Sequence, residues 1–337
     1  MKTLLRFSIA ALFLLVAEAS FAQKTIAVQS NGTANFYTDW AQAWQNTQAS
    51  DTIYLPGGTF NTGGVNIDKP VTIIGVGHDA AHIHDQAFSH LNGDIRLLQG
   101  ADGTILHGFQ FGNLQIGTNV DNESVENITI SRCRCTNVFK LGVSNPSKAS
   151  QIKIDESVLK NIDGMNAKHV SFTKNILSGS ISNFNQNVSF VNNIFSYDSY
   201  TLWSISSTLF RNNIFTSGYY PFRNASDSPG NLFENNIFVL HFTVNPQTDL
   251  NIWNNNHYQP LDNIFVNFAA GDYHLKPSSV GVGAGTDGFD IGIYGTAIPY
   301  KEGAVPFTPR IVEETVSKQT DAEGKINIKV KVEAQER

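Results

Sequence analysis

The chain has 337 residues, of which only 15% are Asp, Glu, Lys or Arg, and its formal net charge is −6. Nucleic-acid partners leave a basic footprint, and no Lys/Arg cluster supplies one here. The two cysteines, Cys133 and Cys135, do not make a disulfide framework, and a bridge between them would be strained, so both read as small packing residues.

Residues 1–22 open with Lys2 and Arg6, run apolar from Phe7 to Ala17 and end in Ser20 and Ala22, at the offsets of a cleavage site before Gln23. The run is short for a membrane span, which needs about 20 apolar residues. It reads as a secretory signal peptide. The mature chain is therefore expected to be secreted, periplasmic or on the cell surface, with no membrane span once the signal is removed.

Residues 23–50 read as an N-terminal strand and a capping helix. Asp39 can N-cap the helix with Gln42 three residues on, and Phe36, Trp40, Ala43 and Trp44 would line one face. Such a helix would cover the open strand edge that a stack of strands leaves at its end.

From 51 to 300 the dominant signal is one phrase written five times: VSFTKNIL, VSFVNNIF, TLFRNNIF, NLFENNIF and NIWNNNHY. Their last asparagines, Asn175, Asn193, Asn213, Asn236 and Asn256, recur about every twenty residues, the period of a solenoid. Each repeat is too small to bury its own apolar face and must stack on the next. Aligned, one column reads Ile130, Ile154, Phe172, Phe190, Phe210, Phe233, Trp253, and another Cys135, Leu159, Leu177, Phe195, Phe215, Phe238, Tyr258. Between them runs Arg134, Val158, Ile176, Ile194, Ile214, Ile237, His257. Like residues in a column suit coils stacked at about 4.8 Å. The asparagines read as a structural ladder rather than as sugar ligands. Their amides can bond to the coils above and below, and asparagine tolerates the left-handed backbone of an abrupt bend. Earlier segments such as GDIRLLQGADGTILHGFQFGN and VENITISRCRCTNVFKLG carry the same grammar, giving roughly ten coils and a rod of about 45–50 Å.

Within the early coils, GHDAAHIHDQAFSH crowds together His78, His82, His84, Asp85 and His90. Such a group is compatible with Zn²⁺ or Cu²⁺, with His82, His84 and Asp85 the candidate ligands. The segment reads as a loop between coils, however, and no metal is expected there. The tail, 301–337, loses the repeated phrase. KINIKVKVEA alternates with period two, and IVEETVS is its natural pairing partner. This β-rich tail is too short for a domain, and it offers a strand to the rod or to a protein partner.

The opening DTIYLPGGTF…GGVNIDKPVTIIGVG, the repeated F-x-N-N-I-F and the closing LDNIFVNFAAGDYHLKPSSVGVGAGTDGFDIGIYG together resemble the pectin-lyase-like superfamily, over residues 24–298. The resemblance implies a bacterial, all-β, right-handed parallel β-helix. It also implies a family of lyases, hydrolases, epimerases, tailspikes and proteins without catalysis, so fold alone leaves function open.

In the lyases of that superfamily the reactive groups project from the sheet preceding the strand that enters the asparagine turn. Here that sheet would use segments near 138–143, 161–166, 179–184, 201–205, 220–224 and 242–245. Its titratable candidates are Lys140, Asp163, Arg223 and His241, spread over different coils. No acidic pair or triplet is in place to hold Ca²⁺, which would be needed only under the lyase reading. No close aspartates supply the acid and base of a glycoside hydrolase. The same stretch holds Tyr197, Tyr200, Trp203, Tyr219, Tyr220 and Phe222. Exposed, Tyr200, Trp203, Tyr219 and Tyr220 would stack on sugar rings. Turned inward, they would fill loop junctions, and the sequence leaves both readings open. The expectation is a non-catalytic rod that binds a polysaccharide or cell-surface glycan, or takes part in a surface assembly. The alternative is a polysaccharide lyase on an acidic polymer, served by Lys140, Arg223 and His241.

Overall fold

The structure, a computed structural model, describes residues 25–83, 87–117, 124–143, 146–305, 307, 309–317, 319–320 and 323–334. The expected signal peptide and its cleavage point at Ala22–Gln23 lie outside them.

Short strands separated by tight bends pair with the equivalent strands one coil away, building three parallel sheets. Sheet 1 contains ten parallel strands, from Thr52–Tyr54 to Ile252–Asn254. Sheet 2 has ten, from Gly58–Asn61 to His257–Tyr258, and sheet 3 has seven, from Val65–Ile67 to Leu202–Ile205. The molecule is an all-β, right-handed parallel β-helix of about ten turns.

The aligned columns of the sequence are the vertical files of this rod. Ile130, Ile154, Phe172, Phe190, Phe210, Phe233 and Trp253 are successive register partners on sheet 1. From Phe172 on their rings stack nearly parallel, with centroids 4.5, 5.1, 4.6 and 4.2 Å apart. Leu159, Leu177, Phe195, Phe215, Phe238 and Tyr258 form the matching file of sheet 2. Stacked aromatic pairs add about 0.5–1.5 kcal/mol each beyond the area they bury.

The asparagine bends are built differently from the expectation. The left-handed residue of each bend is the one before the ladder: Arg132, Glu156, Lys174, Asn192, Asn212, Asn235 and Asn255, with φ between 49° and 58°. The ladder residues turn inward. Asn193 donates its backbone N–H and its Nδ2 to Asn213 Oδ1 at 2.8 and 3.0 Å, and Asn213 repeats both bonds to Asn236. Asn175 and Asn236 continue the pattern to Asn193 and Asn256. Toward the start of the rod Ser157 and Cys133 occupy the same slot, with Cys133 N–H donating to Ser157 Oγ and Ser157 N–H to Asn175 Oδ1. Both cysteines are buried free thiols, pushed by burial up to about 12.

The parallel coil ends at Tyr258, well short of residue 300. Beyond it the chain makes an antiparallel pair, Phe265–Asn267 with Asp272–Leu275, and folds back on the outer face of sheet 2. The reason lies in the intermediate column: Ile176, Ile194, Ile214 and Ile237 face outward, and Ile264, Phe265, Ile291, Ile293 and Tyr300 bury them in a second core. The fold-back then runs along the bends toward the start of the rod, held by the outward side chains of the left-handed residues. Asn235 Nδ2 donates to Ala284 O, Asn212 exchanges bonds with Thr286, and Asn192 Nδ2 donates to Gly292 O and Gly295 O. Lys174 Nζ donates to Ile298 O, Glu156 accepts from Lys301 N, and Arg132 donates to Val305 O. Beneath it Arg132 and Lys174 both pair with Glu156 at 2.6 Å, and Arg132 and Glu156 are almost wholly buried.

At the other end, helix α1 (Trp40–Gln45) caps the rod. Asp39 accepts from Gln42 N at 2.9 Å, Trp40 and Ala43 are buried, and Trp44 stacks on Trp40. Phe36 does not join this face. It lies on the antiparallel strand Thr33–Tyr37 at the edge of sheet 1 and is 68% exposed. In the tail, Arg310–Val316 pairs antiparallel with Ile328–Glu333 as a separate two-stranded sheet.

Candidate functional site

Sheet 3 carries the candidate site on its outer face. Its strands are three or four residues long, and alternation sends apolar residues inward: Val65, Ile67, Ile95, Leu97 and Leu114 from strand flanks, Phe139 and Ile162 from strand centres, and Ile181 and Leu202 from first positions. The residue after each inward Val65, Ile95, Leu114, Phe139, Ile162, Ile181 or Leu202 points out. Parallel register places Asn66, Arg96, Gln115, Lys140, Asp163, Ser182 and Trp203 in one vertical file. A bridge between Leu202 and Phe222 sets Arg223 beside Trp203 as the next step. From Asn66 to Arg223 the file is about 34 Å long at the strand spacing.

Three depressions open along it. One of ≈ 310 Å³ is lined by Gly63, Gly64, Asn66, Gly93, Asp94 and Arg96. Gly93 lets the two coils approach closely at the edge of this space, since a Cβ there would meet Thr62 Oγ1 at 2.4 Å and Gly64 N at 2.9 Å. A second, of ≈ 210 Å³, joins Arg96, Gln115 and Lys140. The third, of ≈ 450 Å³, is lined by Trp203, Ser204, Arg223, Asn224 and Asp227. The Arg223 guanidinium lies 4.2 Å over the Trp203 ring, whose Nε1 donates to Tyr200 O at 3.0 Å. Tyr200 and Tyr219 pack at 5.4 Å and are 38% and 49% exposed, beside Trp203 at 37%. Asp163 is held by Asn183 Nδ2 and the Met165 N–H, both donating to its Oδ1.

Among the residues singled out in the sequence, Lys140, Asp163, Trp203 and Arg223 thus share one file, although they belong to different coils. Tyr200 and Tyr219 flank it. Tyr220 does not present its ring to this face: it packs among Phe222, Phe242 and Trp253, its hydroxyl donates to Asp249, and burial with that carboxylate raises its pKa. His241 lies off the file, after the sheet 2 strand Ile237–Phe238, with its ring 4.5 Å from Tyr258. No strand forms at 242–245, where the chain instead places Phe242 on Tyr220 and Trp253.

The histidine-rich loop meets acidic side chains. His82 faces Asp79 at 3.2 Å and Glu302 of the fold-back at 3.8 Å, whereas His84 and Asp85 lie outside the described residues. His78 is buried, and burial assisted by Arg134 lowers it to about 4. Among the described residues no group of three or more His, Cys, Asp or Glu side chains is placed to hold a metal ion.

Sequence reading missed Asn66, Arg96, Gln115 and Ser182. The available signal was the run of short segments VNI, IRL, LQI, VFK and NID, each apolar at its centre or its flanks. Chemically, the face offers cations, amides and a hydroxyl in line, with an aromatic platform at one end. No family model matches the sequence, and no curated protein matches it.

Proposed function

We propose that this protein is a secreted or cell-surface rod of the pectin-lyase-like kind that binds an acidic glycan laid lengthwise along sheet 3. The observation that carries this reading is the single file from Asn66 to Arg223. A linear polymer can follow it in register, with Arg96, Lys140 and Arg223 as anion partners and Trp203, Tyr200 and Tyr219 as stacking surfaces. Among the described residues, neither Arg96 nor Lys140 is engaged by a hydrogen bond or ion pair, so both remain available to a ligand.

Affinity electrophoresis through gels containing acidic or neutral polysaccharides tests the reading. Acidic polymers should retard the protein, salt should weaken the effect, and Trp203→Ala should reduce affinity about tenfold. Equal mobility in all gels would sink it. A second reading, β-elimination, draws on Lys140, which sits between Gln115 and Asp163 where a base and its supporting groups could meet a uronate. Ca²⁺ enters only under this reading. Unsaturated-uronate absorbance that grows with time and disappears in Lys140→Ala would replace the binding-only account.

A further inference from the structure

Sheet 3 places its cations on alternate rungs. Counted from Arg96, Lys140 lies two rungs on and Arg223 six, while the odd rungs hold Gln115, Asp163 and Trp203. Ser182 occupies the remaining even rung. At the strand spacing the backbone positions of the cations stand about 10 and 19 Å apart, and the Arg223 guanidinium leans over Trp203 of the rung before. A pyranose in an extended, equatorially linked chain advances by about one rung.

Of the carboxylates near the file, Asp163 supports the alternation, whereas Asp94 and Asp227 line depressions together with Arg96 and Arg223. Asp163 stands on an odd rung and would repel an anion presented there. Asp94 lies at the edge, with its Oδ1 accepting from the Asn113 N–H and Nδ2, and Asp227 accepts from Asn224 Nδ2. At the odd rung of Trp203 the ring is 37% exposed, and the Arg223 guanidinium lies over one of its faces at 4.2 Å, which leaves only the remaining ring surface to a sugar.

Resting on the glycan-binding reading above, we propose that the ligand presents one anionic group to sheet 3 at every second sugar. Two polymers share that chemistry: one in which a uronate alternates with an uncharged sugar, and a uniform polyuronate in a twofold conformation, whose carboxylates face alternately toward and away from the protein. Hyaluronan and polymannuronate are the corresponding probes.

The charge-conserving double substitution Gln115→Lys with Lys140→Gln moves one cation to an odd rung. It should weaken binding of whichever polymer the native protein retains by about tenfold. A second pair of variants adds one charge each: Ser182→Lys, on an even rung, should tighten binding several-fold, and Gln115→Lys, on an odd rung, should not. Retention of hyaluronan alone assigns the alternating polymer, and retention of polymannuronate assigns the twofold one. An unaffected double variant, or equal gains from Ser182→Lys and Gln115→Lys, overturns the spacing and leaves the glycan reading standing. Retention by another acidic polysaccharide but by neither of these polymers overturns the spacing alone, and equal mobility in all gels overturns both.

Discussion

Asn213 is the most severe single point at which to test the ladder. Its side chain is fully buried, and it makes four bonds: Nδ2 donates to Phe190 O and Asn236 Oδ1, and Oδ1 accepts the Asn193 N–H and Nδ2. Asn213→Ala removes all four. Asn193 Nδ2 keeps the Phe172 and Val191 carbonyls, Asn236 Oδ1 keeps the Asn213 N–H, and the Phe190 carbonyl keeps its place in the ladder to Arg211, so the group left in want is the Asn193 N–H. At about 1–3 kcal/mol for that buried orphan and about 1 kcal/mol for the lost bond to Phe190, the loss should be about 2–4 kcal/mol. Asn213→Ser should cost roughly half of that, because Ser157 already fills the same slot and its Oγ accepts the Cys133 N–H. Asn256→Ala, at the partly buried end of the ladder, should cost only about 1–2 kcal/mol. Urea unfolding followed by circular dichroism gives the ranking, provided the slope with denaturant is unchanged. The reasoning is refuted if Asn213→Ala matches the native protein or is no worse than Asn256→Ala.

Acid should destabilise the rod through two imidazoles, one buried and one half-buried. Burial, with help from Arg134 and Arg132 respectively, lowers His78 and His107 from 6.5 to about 4. The unfolded chain therefore binds more protons between those values. The stability they contribute is complete above about 6.5 and lost as pH falls toward 4, by up to about 3 kcal/mol each. Melting curves across that window should shift down, and His78→Phe should flatten the dependence; an unchanged slope speaks against it. Glu156→Ala removes the buried carboxylate that Arg132 and Lys174 share and should cost about 3–5 kcal/mol. The same change should make residues 298–305 a preferred site of limited proteolysis, and native-like resistance would argue that the fold-back is held by its apolar contacts alone. Ile214→Ala, beneath the fold-back, should cost about 2–4 kcal/mol in thermal unfolding, whereas an effect below 0.5 kcal/mol would mean that the second core is not tightly packed.

The stacked columns were legible because identical residues recur at one offset: Phe172, Phe190, Phe210 and Phe233 announce their own register. The outward file of sheet 3 has no such uniformity, since Asn66, Arg96, Gln115, Lys140 and Asp163 share a position but not a chemistry. Strands of three residues also give alternation too little length to be read. The left-handed position was misplaced by one because the doubled asparagines at 192–193 and 212–213 hide which member bends. Arg132, Glu156 and Lys174 before the ladder slot settle it in the structure. The fold-back did leave a trace. A strand such as Ile194–Phe195, apolar at both positions, needs cover on both sides. A second, shorter amide run, through Thr208, Asn231 and Asn251, escaped notice because only two asparagines repeat in it.

The ties between residues 284–305 and the bends from Asn235 back to Arg132 reverse the order of synthesis: the first of these coils to be made is the last to be fastened. A chain halted near residue 280 would display a strip of isoleucines and an uncovered Arg132–Glu156–Lys174 trio. Solubility thus depends on how far synthesis has run, because only a polypeptide translated past residue 305 can hide that greasy, charged flank from a protease or a neighbour.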